Sequence, residues 1–123
     1  MSSGSNGTSK KKLIGFSFAF NGLWNVLKTE RNFRIHLSVS ALVILAGLFF
    51  GLVAWEWVAV ITIMAIVIIL EMINSVIERI MDFLSPNYHP LVGEIKDISA
   101  GAVLVAALAS VIIACIIFLP KLF

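Results

Sequence analysis

Apolar residues run almost unbroken through three stretches of the chain, about His36 to Ala54, Trp57 to Ile80 and Ile98 to Leu119. Each is long enough for the ~20 residues that cross a bilayer. A different pattern precedes them: Phe16, Phe20, Leu23 and Leu27 follow i, i+4, i+7, i+11, while Ser17, Asn21 and Lys28 lie on the opposite side. That spacing predicts an amphipathic helix over about residues 10–30, lying on the membrane surface. Pro86 and Pro90, close to Ser85 and Asn87, predict a loop after the second span, from which Gly93 to Asp97 leads into the third. The expected fold is an all-α membrane protein with a surface helix and transmembrane helices at about 34–54, 57–84 and 96–119, forming one domain over residues 10–123. The first nine residues are a Gly/Ser tail too polar to order itself, and no internal repeat is present.

Composition narrows the class. With 123 residues, 60% hydrophobic, 13% charged and a mean hydropathy of +1.05, the chain is too apolar for a soluble domain and too short for several domains. Lys10, Lys11, Lys12, Lys28, Arg31 and Arg34 precede the first span, and Arg79 and Lys96 lie between the second and third. The connection Trp55-Glu56-Trp57 carries no Lys or Arg. The positive-inside rule therefore places the N-terminus and the second loop in the cytoplasm and the C-terminus outside, with only Lys121 opposing. A cleavable signal peptide is not expected, because the N-terminal lysines lead into an amphipathic stretch rather than a continuous apolar core.

Within the second span, Glu71, Asn74, Glu78 and Asp82 stand three, four and four residues apart, which puts them on one stripe of a helix. Charges at a helix end often snorkel to the interface, and Glu78 with Asp82 alone would be read so. Glu71 and Asn74 lie deeper, where an ionisable group is costly and marks function. A desolvated carboxylate there suits a general base, and a proton or cation relay along the stripe is the competing reading. The helix by itself leaves both open.

Other polar segments add to this stripe. Glu30-Arg31-Asn32-Phe33-Arg34-Ile35-His36 carries both signs of charge at the start of the first span, with Glu30 and Arg34 at i, i+4. Its bland reading is a salt-bridged helix start. Two carboxylates from different helices, however, are what Mg²⁺ asks for when water and substrate phosphates complete its shell, and Glu30 with Glu78 is the pair. Lys96-Asp97 at the next boundary offers a cation for phosphate oxygens. No Gly-x-x-x-x-Gly-Lys-Ser/Thr or Gly-x-Gly-x-x-Gly loop is present, which excludes the common phosphate cradles. His36 and His89 lack a second His at ligand spacing, so zinc is not expected, while His89 beside Asn87 and Tyr88 is placed to touch a polar ligand. Cys115, alone in the third span, reads as a buried small hydrophobe.

The string Glu71-Met-Ile-Asn74-Ser-Val-Ile-Glu78-Arg-Ile-Met-Asp82, followed by Tyr88-His89-Pro90 and by Lys96-Asp97-Ile-Ser-Ala-Gly-Ala-Val-Leu104, closely resembles the small bacterial integral-membrane diacylglycerol kinases. The resemblance runs from about Lys11 to the C-terminus, and Glu30 to His36, His89-Pro-Leu and the Phe-Leu-Pro-Lys-Leu ending are more similar to the Gram-positive branch, which includes undecaprenol kinases. It implies a homotrimer in the bacterial cytoplasmic membrane, with active sites shared between subunits, that phosphorylates a membrane lipid alcohol with ATP and Mg²⁺. The implied acceptor is undecaprenol, with diacylglycerol as the alternative, and no nucleic acid is involved.

By the same resemblance Glu71 is the base, Asn74 positions hydroxyl or phosphate, and Glu30 and Glu78 hold the metal. Lys11, Phe18, Glu30, Glu78, Asp82, Asn87, Tyr88, His89, Lys96 and Asp97 contact nucleotide. Asn32, Phe33, Arg34, Ile35 and His36, with Glu71 and Ala100, meet the lipid. The chain departs from the diacylglycerol-specific pattern at Lys11, where arginine is usual, at Phe18 and Phe20, where tyrosine and tryptophan stand, and at Ile35-His36 in place of Gln-Glu. These changes bear on nucleotide contacts and lipid choice and leave the chemistry untouched. An ion conductor or a membrane adaptor are the readings of another class: the conductor gives no reason for Lys96 and Asp97, and the adaptor predicts neither phosphate transfer nor ion flux.

Overall fold

The computed structural model describes the backbone of residues 8–123 and the side chains of residues 13–123; most of the expected tail and the Lys11 side chain lie outside the described residues. Four helices follow one another: α1 (Thr8–Thr29), α2 (Arg31–Phe50), α3 (Ala54–Leu84) and α4 (Pro90–Leu122). The described residues contain no strand. α2, α3 and α4 are each long and apolar enough to cross a membrane. α3 and α4 form the most extensive pairing, α2 leans on α3, and α1 touches α2 over a short stretch.

Three of the helix ends that depart from the sequence expectation have a clear local cause. α2 stops at Phe50 rather than 54 because Gly51 adopts the left-handed conformation (φ 70°), letting the Gly51 and Leu52 N–H groups both bond Gly47 O, at 3.0 and 3.2 Å. Trp55 and Trp57 are therefore in the opening turn of α3 rather than in a loop. There the Glu56 carboxylate accepts from the Val53 N–H (3.0 Å) and pairs with Lys121 (3.1 Å). Lys121, the one residue that runs against the charge asymmetry, is thus matched by an acid at its own end of the bundle. α4 begins at Pro90 rather than 96, since proline suits the first helical position and His89 Nδ1 accepts the Leu91 N–H at 3.1 Å. Gly93 to Asp97 is helix, not lead-in loop.

The core sits at the α2–α3 turn end, where Leu52, Val60 and Ile117 are enclosed by Val43, Trp57, Ala59, Met64, Ile113 and Phe118. Elsewhere the spans are largely uncovered by their own chain: Leu45, Leu48, Ile61, Ile69, Val105 and Ile112 all face outward, as side chains do when lipid or another subunit is the neighbour. Cys115 is among the exposed positions, contrary to the expected burial, because Ile113 and Ile117 occupy the inward face of α4. On α1, Phe16, Phe20 and Leu23 of the expected apolar stripe are exposed and Val26 is the buried residue.

The long helices fix the depth of the polar stripe. Counting from Ala54 at 1.5 Å per residue, Glu71 lies about 26 Å along α3 and Glu78 about 36 Å. A hydrocarbon slab of about 30 Å that began at Ala54 would end between Glu71 and Glu78.

Gly47 provides a test of the packing. A Cβ at this position would stand 2.7 Å from the Trp57 ring and 3.0 Å from Leu52 Cδ1. Gly47→Ala is expected to destabilise the fold by about 1–3 kcal/mol, as overpacking does. Thermal unfolding of the detergent-solubilised protein checks this, and an unchanged midpoint would show that Trp57 yields freely.

Candidate active site

Backbone geometry at the α1–α2 junction brings the first carboxylate into place. Glu30 is the single residue between the two helices, in an extended conformation (φ −106°, ψ 111°), so its side chain leaves the helical path and turns toward α3. There Ser75 Oγ donates to Glu30 Oε1 at 2.8 Å and Arg79 Nη2 donates to the same oxygen at 3.2 Å. Arg79 also donates to Asn25 Oδ1 and Thr29 Oγ1, both at 2.7 Å. From the other side, Arg34 Nη1 donates to the terminal α1 carbonyls of Leu27 and Lys28, both at 2.9 Å. The junction is held from two helices at once.

Deeper on α3, Glu71 is 6% exposed and faces His36 of α2 across 3.7 Å (Nε2 to Oε2). Glu30 and Glu78 both lie within electrostatic reach of it. Three residues on, Asn74 Oδ1 is buried with no donor. An unsatisfied buried amide oxygen costs about 1–3 kcal/mol, so this position is suited to a ligand that supplies a hydrogen. His36 also lines an apolar cavity of about 140 Å³ between α2, α3 and α4, whose other walls include Val39, Val43, Val60, Val67 and Ala114 with Ser40 and Ser110. The cavity runs from His36, which faces Glu71, along residues of the three apolar helices.

Beyond the stripe, the α3–α4 loop forms a second cavity of about 310 Å³ that gathers Asp82, Asn87, Tyr88, His89 and Lys96. Lys96 Nζ is 2.6 Å from Asp82 Oδ1 and lies in the field of Glu78. Glu78 therefore stands between the Glu71 end and the loop end of the stripe.

Not every residue singled out from the sequence joins these two clusters. Asp97 and Ala100 are exposed on α4, Asn32 is exposed on α2, and Phe18 is exposed on α1. Ile35 and Arg34 border a separate open cleft with Arg31, Ser38 and Leu42. Phe33, expected at the lipid, is 2% exposed, so it packs between elements instead of presenting a surface. Conversely, Ser75 and Arg79 were not read as site residues. Their i, i+4 spacing on the flank of the Glu71 stripe is the signal that marks them.

No group of three His, Cys, Asp or Glu side chains converges among the described residues. That arrangement does not suit an all-protein cage for a metal. Glu30 and Glu78, both within electrostatic reach of Glu71, are two carboxylates from different elements, the kind of partial donor set that Mg²⁺ completes with water and nucleotide phosphates.

Residues 17–118 match the prokaryotic diacylglycerol kinase family. The chain is 38% identical over 107 residues to the undecaprenol kinase of Bacillus subtilis (strain 168), covering 87% of each chain. It is 37% identical over 111 residues to a diacylglycerol kinase of Synechocystis sp., covering 89% of this chain and 63% of that one. With the diacylglycerol kinase of Escherichia coli (strain K12) it shares 32% identity over 106 residues, covering 86% and 85% respectively. Three membrane-length apolar helices, a buried carboxylate at their polar boundary and these matches together make the chain a bacterial membrane lipid kinase that belongs to the prokaryotic diacylglycerol kinase family.

Proposed function

We propose that the protein transfers the γ-phosphoryl group of ATP to undecaprenol, giving undecaprenyl phosphate and ADP, at the cytoplasmic face of the membrane. The observation that carries this reading is the buried Glu71 carboxylate facing His36, itself a wall of an apolar cavity, with the unsatisfied Asn74 oxygen one turn further along the same helix. Glu71 takes the proton of the lipid hydroxyl as its oxygen bonds to the γ-phosphorus, and the bond from that phosphorus to the β,γ-bridging oxygen breaks. Asn74 holds the hydroxyl in line. Lys96, steadied by Asp82, places positive charge at the loop cavity where the triphosphate sits with Asn87, Tyr88 and His89. Glu30 and Glu78 are the residues that would hold Mg²⁺, which when bound neutralises charge on the phosphate oxygens.

Undecaprenol is favoured over diacylglycerol by the lining of the cavity. The isoprene units next to the hydroxyl carry no polar atoms, whereas diacylglycerol brings two ester groups, and the described walls are aliphatic apart from His36, Ser40 and Ser110. The reciprocal 87% coverage with the Bacillus subtilis undecaprenol kinase supports the same choice. The exposed Phe16–Phe20–Leu23 stripe supports α1 as a helix lying on the membrane surface, and the basic residues before the first span support the N-terminus inside and the C-terminus outside. The outward-facing α4 residues Ala100 and Ala102 allow close approach of further copies, which supports a homotrimer.

Purified protein in nanodiscs, given ATP and Mg²⁺ with undecaprenol or diacylglycerol side by side, tests the assignment. Higher kcat/KM for undecaprenol is expected. Preference for diacylglycerol would overturn the acceptor, and absence of phosphate transfer to either would overturn the reaction.

A further inference from the structure

The last turn of α1, the α1–α2 junction and the middle of the polar stripe meet at one guanidinium. Arg79 has two short bonds to neutral acceptors on α1, Asn25 Oδ1 and Thr29 Oγ1 at 2.7 Å each, and a longer one of 3.2 Å to Glu30 Oε1. The two contacts to α1 give the guanidinium anchors of its own in addition to its ion pair with Glu30. Ser75 lies one turn before Arg79 on α3, is 3% exposed, and donates to Glu30 Oε1 at 2.8 Å. Both donors converge on a single carboxylate oxygen.

That convergence has a chemical result. A carboxylate held through one oxygen by two donors on the same helix has a restrained rotamer, and its second oxygen, Oε2, keeps its lone pairs for another partner. Glu71 and Glu78, on the same helix as the two donors, are the neighbouring acids. We propose that Arg79 is a positioning residue of the kinase, which together with Ser75 fixes Glu30 Oε1 and so presents Oε2 to the Mg²⁺ of the nucleotide complex. This rests on the reading of Glu30 as a metal-holding carboxylate. Arg79 does not touch the reacting atoms. Its guanidinium can bond three acceptors at once because its donors form a planar fork. A lysine ammonium keeps the charge and loses the fork, so charge and geometry can be separated by substitution.

The test uses the full chain in nanodiscs, with Arg79→Lys, Arg79→Gln, Ser75→Ala and Glu30→Gln. Two quantities are read: affinity for the Mn²⁺ complex of a nonhydrolysable ATP analogue by electron paramagnetic resonance, and the Mg²⁺ concentration giving half-maximal turnover. Partners that orient a metal ligand typically change metal affinity 10–100-fold, and both Arg79 variants are expected to weaken Mn²⁺ binding and raise the Mg²⁺ requirement by about that factor. Turnover at saturating Mg²⁺ recovers most of its value, as it does when a binding term rather than a transition-state term is lost. Ser75→Ala, which removes the other donor and leaves the α1 contacts intact, moves both readouts in the same direction by less.

Parental Mn²⁺ affinity in the Arg79 and Ser75 variants, or full restoration by lysine, would overturn the positioning role. So would a fall in turnover at an unchanged Mg²⁺ requirement, because that is what a merely structural contact gives. Glu30→Gln separates this failure from that of the underlying reading. If it too binds the Mn²⁺ complex like the parent, Glu30 is not a metal-holding residue. If it loses affinity while the Arg79 and Ser75 variants keep theirs, only the role of Arg79 falls.

Discussion

Glu71→Gln is expected to lower the rate of lipid phosphorylation by about 10²–10⁴-fold, the range that a positioned general base contributes. The substitution is nearly isosteric, so the 6%-exposed site keeps its packing against α2 and the protein should assemble as the parent does. An amide nitrogen or oxygen cannot take the hydroxyl proton under these conditions, and the step loses its acceptor. Stability should hold or rise, since a neutral amide costs less to bury than a carboxylate at the edge of the hydrocarbon. The effect should belong to kcat, with KM for ATP close to parental, because the role proposed for Glu71 is toward the lipid hydroxyl and not the triphosphate. Single-turnover kinetics in nanodiscs, with thermal unfolding as the control on folding, check both halves. Turnover within a few-fold of the parent would remove Glu71 from the chemistry. Retained turnover in the Gln variant combined with loss in His36→Gln would move the proton acceptor to the imidazole 3.7 Å away.

The division between what could be read from the residues and what needed coordinates follows from the range of each interaction. The stripe from Glu71 to Asp82 lies within one helix, and helical periodicity alone predicts that its members share a face. The three spans follow from length and hydropathy in the same way. Helix ends were less accessible, because they depend on one or two residues. Gly51 could be recognised as a stop only by its positive φ, and Pro90 reads equally well as a helix breaker or as a first helical residue.

Pairings across long separations were beyond pattern reading. Glu30 was selected as a carboxylate, but its donors Ser75 and Arg79 are 45 and 49 residues away, and nothing local to either indicates the other. The match of Glu56 with Lys121 spans nearly the whole membrane bundle in sequence. Cys115 departs from its expected burial for a related reason: hydrophobicity says that a side chain avoids water, and in a membrane protein it does not say whether protein or lipid replaces it. Phe33 is enclosed by the chain and Cys115 faces outward.

Glu78→Gln is expected to reduce turnover about 100-fold at limiting Mg²⁺, the scale of loss seen when reacting groups are held without their proper alignment. Glu78 acts on both ends of the stripe electrostatically, since Glu71 lies in its field on one side and Lys96 on the other. Removing its charge leaves Lys96 with Asp82 alone, at 2.6 Å, and leaves a metal with Glu30 as its only carboxylate from the proposed pair. The defect should therefore be one of binding as well as rate: KM for Mg·ATP rises and kcat falls, the pattern of an interaction present in both ground and transition states but stronger in the latter. Raising Mg²⁺ should restore a substantial part of the lost activity in Glu78→Gln and none in Glu71→Gln, because mass action can refill a weakened metal site but cannot supply a missing base. Initial rates of the two variants, measured against Mg²⁺ at saturating lipid, decide the matter. Equal insensitivity to Mg²⁺ in both would mean that Glu78 serves the proton-transfer step or the helix rather than the metal. A response in Glu78→Gln alone would divide the stripe by depth, with proton transfer at the bilayer boundary and phosphate neutralisation two turns beyond it.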